Sequence, residues 1–143
     1  MQKLTDHFCL EEFTRSDTAI KYGIPNMPGI AAISNLQNLC QEVLEPLRQR
    51  FGCPIIINSG YRSRALNAHP EVKGVSNSQH LKGEAADIRI PDVKTGLQWF
   101  WWIQKYCNFD QLLFEKNNLG HTWIHVSCKR NLKENRKAVR NYL

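Results

Sequence analysis

The sequence is short of acid, of long apolar runs and of paired cysteines, and each shortage narrows what it can be. Asp and Glu number 13 against 19 Lys and Arg in 143 residues, a formal net charge of +6. The imbalance is steepest in CKRNLKENRKAVRNYL, where Lys129, Arg130, Lys133, Arg136, Lys137 and Arg140 meet only Glu134. Such a balance favours polyanionic surroundings: nucleic acid, an anionic membrane or an anionic cell wall. Residues 129–143 read as a basic tail, helical and solvated. No apolar run approaches the roughly 20 residues that span a bilayer. The start, MQKLTDHFCLEEF, carries charge throughout and lacks the apolar stretch of a signal peptide. Synthesis in the cytoplasm without a signal peptide is the expectation. The five cysteines are odd in number and form no Cys-x-x-Cys pair. They read as free thiols of a reducing compartment, and a cysteine zinc knuckle is unsupported. Repeats, low-complexity stretches and Ser/Gly linkers are absent, so residues 1–143 are expected to form one domain. Hydrophobic residues make up 42% of the chain, enough for a core, so disorder is excluded.

The apolar spacing predicts α+β architecture, with N-terminal helices packed on a small, mainly antiparallel sheet. HFCLEEFTRSDTAIKYGI reads as short helical pieces with Ser16 as a cap. In NMPGIAAISNLQNLCQEVLEPLRQRFG, Ile30, Ile33, Leu36, Val43, Leu44 and Leu47 recur at helical spacing, and Gly52 is a natural stop. DVKTGLQWFWWIQKYC is apolar nearly all round and reads as a buried core helix. PIIINSGYR, EAADIRI, FDQLLFE and HTWIHVSC read as strands, the last two joined by KNNLG as a hairpin connection.

Strand alternation then sorts the ionisable groups. Asp87 shares a face with Ala85 and Arg89, His125 with Trp123 and Ser127, and Glu115 with Gln111 and Leu113. Each strand can aim one such group at a common cleft, and His80 precedes the first of them at the end of a polar loop. A carboxylate such as Asp87, set among alanines and isoleucines, requires an arginine, a hydrogen-bond network or a metal as partner. Two histidines and one carboxylate are a common open zinc constellation, and zinc would satisfy Asp87.

SNSQHLKGEAAD carries Ser78, His80, Gly83, Ala85 and Asp87 in the pattern S-x-H-x-x-G-x-A-x-D. It resembles the zinc signature of the peptidase M15 family, the zinc D-alanyl-D-alanine carboxypeptidases. WIHVS resembles the segment with the family's third ligand, and INSGYRS the segment with its substrate-facing arginine. HFCLEEFTRSDTA and NLQNLCQEVLEPLR resemble small phage and prophage members of the endolysin type. The resemblance implies the fold shared with the hedgehog signalling domain, and Zn²⁺ held by His80, Asp87 and His125. It also implies Arg62 facing the substrate and stabilising the oxyanion, and Ser78 hydrogen-bonding the substrate or capping its loop. Many members carry an acid three residues before the last ligand, where this chain has Thr122. DQLLFE resembles a strand of the subfamily that ends in glutamate, which makes Glu115 the candidate general base and His121 its rival. The implied reaction is hydrolysis of peptide bonds in peptidoglycan stem peptides, as carboxypeptidase or endopeptidase, by a monomer. Its route to the wall would be a holin or a virion. The competing readings are a non-catalytic zinc-binding domain of hedgehog-like fold, and a nucleic-acid binder using the tail with Trp99, Trp101 and Trp102. No RNP, helix-turn-helix or zinc-finger pattern supports the second.

Overall fold

The computed structural model describes residues 1–143. It begins with a tight antiparallel ribbon, β1 (Lys3–Thr5) and β2 (Phe8–Cys9), too short for its alternation to be legible in sequence. Two short helices follow. In α1 (Leu10–Thr14) the Cys9 N–H donates to the Glu12 carboxylate at 2.7 Å. In α2 (Asp17–Tyr22) the Ser16 hydroxyl accepts from the Ala19 N–H at 3.1 Å, as expected of an N-cap. Then comes one long rod: α3 (Ile30–Leu39), a π-helical turn over Cys40–Leu44, and α4 (Glu45–Phe51), ended by Gly52 in the left-handed region. The widened turn sits just before Pro46, which has no N–H for the residue 42 carbonyl and whose ring crowds it. Just after this turn, at the start of α4, the buried Glu45 carboxylate reaches the N-terminal ribbon. It accepts from the His7 N–H at 2.8 Å and lies 2.6 Å from His7 Nδ1.

The main sheet has five strands: β3 (Ile57–Ser59), β4 (Ala85–Arg89), β5 (Gln111–Lys116), β6 (Thr122–Ser127) and β7 (Ala138–Asn141), in the order β3-β4-β6-β5-β7. Only the β5–β7 pairing is parallel. Between β3 and β4 lie the short α5 (Arg64–Ala68) and a 3₁₀ turn over Gln79–Lys82. One sheet face supplies Ala86, Ile88, Leu112, Phe114, Ile124 and Val126 to the core, packed with Leu36, Leu39, Val43, Leu44 and Leu47 of the long rod. The alternation thus resolves as expected, and the opposite face carries the polar residues.

Two expectations are corrected. First, α6 (Val93–Tyr106) is not buried all round: Trp99, Phe100 and Ile103 enter the core, while Trp101 is 57% exposed and Tyr106 also faces solvent. The helix covers the sheet from outside, and no further layer covers its outer side. Second, the basic tail is not a solvated helix. It makes a single 3₁₀ turn over Leu132–Glu134 and then forms β7. The cause is Asp110, which is fully buried and needs a cation. Arg136 supplies it through Nη2 at 2.7 Å and Nε at 3.1 Å, with its backbone N–H at 2.8 Å. The anchored chain then pairs with the edge of β5, and Val139 packs on the core. No helix of the chain is long and apolar enough to cross a membrane.

Candidate metal centre

The polar face of the sheet forms the floor of a cleft of about 460 Å³. Register builds it directly: Asp87 on β4 is the cross-strand partner of His125 on β6, and Leu113 on β5 partners His125 from the other side. His80 enters from the 3₁₀ turn after the polar loop. That turn begins at Ser78, whose hydroxyl accepts the His80 N–H at 3.2 Å, and ends at Gly83. Gly83 has φ +72°, and a Cβ there would lie 2.5 Å from the Ala32 carbonyl oxygen, so only glycine fits.

His80 Nδ1 lies 2.7 Å from the Gly60 carbonyl oxygen. A carbonyl only accepts, so Nδ1 carries the hydrogen and, in the neutral ring, Nε2 holds the free lone pair. Nε2 is 3.4 Å from Asp87 Oδ2, and His125 Nδ1 is 2.9 Å from Asp87 Oδ1. One ligand atom from each of the three residues lies within 4.8 Å of the others, so the group could hold a metal ion. The donor chemistry fits: two imidazole nitrogens and a carboxylate oxygen, largely withdrawn from water, with one side open to the cleft. Burial pushes the Asp87 carboxyl up, but hydrogen bonds from His125 and His80, and their charge, hold it well below the ordinary carboxylate range.

Arg62 is no free surface arginine. Its side chain is 17% exposed and fastened by Nε to the Ser59 hydroxyl at 3.2 Å and by Nη1 to Asn67 Oδ1 at 3.3 Å. Its Nη2 lies 3.6 Å from Asp87 Oδ2. Burial lowers its pKa and the Asp87 charge raises it, with burial prevailing. Glu115 lines the same cleft, opposite Trp123 and one step diagonal to His125. Burial raises its pKa; the nearby His125 pulls it down and Asp87 pushes it up. His121 is exposed at the hairpin turn, held by its N–H to Asn117 Oδ1 at 2.9 Å, and does not line the cleft. Ser78 lines the cleft as well as capping its turn. The five cysteines are all free. A larger groove of about 790 Å³ lies between α1 and β3, but neither histidines nor a metal-ligating cluster converge there.

Several residues that serve this site carry no legible sequence signal. The Gly60 carbonyl orients His80. The buried Asn67 accepts from Arg62 and donates to the Val75 carbonyl at 2.9 Å, joining the arginine to the polar loop. Arg136 reaches the cleft from the tail. All three act across loops whose closure follows no periodicity.

The sheet thus carries in one cleft two histidines and a carboxylate that could hold a metal ion, flanked by a further carboxylate and an arginine, residue types that a hydrolase can use. The family described as Peptidase M15 matches over residues 6–127, so the chain belongs to the peptidase M15 family. The match stops short of the strand formed by the tail. No curated protein matches the chain.

Proposed function

We propose that residues 1–143 form one zinc peptidase domain, acting as a monomer on peptide bonds of peptidoglycan stem peptides. The observation that carries the reading is the convergence of His80, Asp87 and His125 to within 4.8 Å in the cleft that also holds Glu115 and Arg62. Zinc held by His80 Nε2, the Asp87 carboxylate and His125 Nδ1 would supply Lewis acidity to a water and to the scissile carbonyl. Glu115 is the general base: it accepts the proton of the attacking water and returns it to the leaving amine. Burial raises its pKa, and a cation held beside it would lower it. Arg62, held by Ser59 and Asn67, offers its guanidinium to the negative charge that develops on the carbonyl oxygen. The Gly60 carbonyl keeps the His80 proton on Nδ1. Ser78 positions the His80 turn through its cap and presents its hydroxyl to the substrate.

The test is digestion of purified peptidoglycan, with fragments weighed by mass spectrometry and new amino groups counted. New amino groups without new reducing ends are expected from the zinc-loaded protein and not from Glu115→Gln. Reducing ends without amino groups would reject the reading. Full zinc occupancy without any hydrolysis would favour a non-catalytic hedgehog-like domain.

A further inference from the structure

The tail places a cation in the same cross-strand row as the metal-ligating residues. Asp87 pairs with His125, His125 with Leu113, and Leu113 with Arg140. Partners across a ladder project from the same face of a sheet. Val139 packs against the core, so its neighbours Ala138 and Arg140 project to the other side, the face that bears the cleft. At about 4.8 Å per strand, two strands separate Arg140 from His125 by roughly 10 Å, the length of about three residues of extended peptide. Arg62 stands at the opposite end of this row, beside Asp87.

The charges of the tail are not equivalent. Arg136 lines the cleft, but its guanidinium is taken by the buried Asp110, which Lys129 also approaches at 4.0 Å. Arg136 is therefore the anchor that fixes where β7 begins. Arg140 is exposed and none of the ion pairs within the chain engages it. Arg140 is not among the residues lining the cleft floor. Register places it beyond Leu113 on the same face, diagonal to Glu115 and in no ion pair, and an exposed arginine so placed suits a carboxylate of a bound ligand.

We propose that β7 builds an anion subsite on the cleft rim, in which Arg140 binds a carboxylate carried by the substrate two to three residues from the scissile bond. Arg140 thus sets specificity, favouring acidic over neutral peptides. This deepens the peptidase reading and rests on it for the position of the scissile bond.

The experiment compares two synthetic stem peptides, one with its side-chain carboxylates free and one with all of them converted to primary amides. Wild type, Arg140→Gln and Arg140→Lys are assayed for kcat/KM when zinc-loaded. The metal-free proteins are titrated with the same peptides by isothermal calorimetry. Wild type should prefer the acidic peptide by about two- to fivefold in both assays, the upper part of the range for one exposed ion pair. The preference should fall towards one in Arg140→Gln, persist in part in Arg140→Lys, and fade at 500 mM salt. An Arg140→Gln protein with the wild-type preference, or a wild type with none, overturns the subsite. Failure of wild type to cleave either peptide would defeat the peptidase reading alone, and the binding preference would still decide the subsite.

Discussion

Replacing Gly60 by alanine tests whether a backbone carbonyl holds His80, the proposed metal ligand, in place. A Cβ at this position would lie 2.7 Å from Cα, Cβ and O of Phe13. Phe13 is fully buried and its carbonyl accepts the Tyr61 N–H at 2.7 Å, so neither backbone can yield freely. Ordinary contact begins at 3.4 Å, so the two segments must part by roughly 0.7 Å in a closely packed interior. That displacement would be felt at the His80 Nδ1···Gly60 bond, now 2.7 Å, and would carry it towards the limit of hydrogen-bond geometry. Overpacking of this kind costs about 1–3 kcal/mol, which lowers the melting temperature by about 2–12 °C for a chain of this size. Loss of a hydrogen bond that orients a metal-ligating histidine weakens metal binding about 10–100-fold. Zinc affinity is read by competition with a chromophoric chelator, and stability by calorimetry. Gly29→Ala is the control, since a Cβ there meets nothing within 4 Å. If Gly60→Ala binds zinc as tightly as wild type while losing stability, the carbonyl does not orient His80 and the reasoning fails.

Glu115→Gln should keep its fold and its zinc yet lose about 10²–10⁴ in kcat, the usual worth of acid–base catalysis. His121→Ala, altered outside the cleft, should cost far less; the reverse ranking in steady-state kinetics would exchange their roles. Glu45 offers a pH test of stability. Burial pushes its carboxyl up, but hydrogen bonds from His7 and Gln49 bring it down to about 2 from the ordinary 4.5. A depressed carboxylate stabilises the fold above its unfolded pKa and loses that contribution as pH falls towards the folded one. Denaturant unfolding should therefore lose up to about 3 kcal/mol between pH 4.5 and 2 through this group, and Glu45→Gln should lessen the loss across that window, leaving the part due to Asp87 and Asp110. Thiol titration of freshly denatured protein should find all five cysteines reduced, with one or none pointing to disulfides.

Much of the site was legible because period-two alternation is local. Once 84–90, 110–115 and 122–127 read as strands, Asp87, Glu115 and His125 could each be aimed at one common face, with the core residues on the other. The short helical pieces, the Ser16 cap and the Gly52 stop were legible for the same reason, since each depends on neighbours a few residues away. Only tertiary structure decided the rest. Alternation says which side a residue faces but not which strand lies beside which, so the row Asp87, His125, Leu113, Arg140 appears only with the register. The tail reads as a solvated helix because its charges dominate locally. Its strand arises from one long-range ion pair between Arg136 and a carboxylate that the fold has fully buried. The exposed Trp101 face of α6 depends on what lies outside the helix, which its own sequence does not encode. The Gly60 carbonyl and Asn67 act through hydrogen bonds to residues brought near by loop closure, and loop closure leaves no repeating mark on the chain.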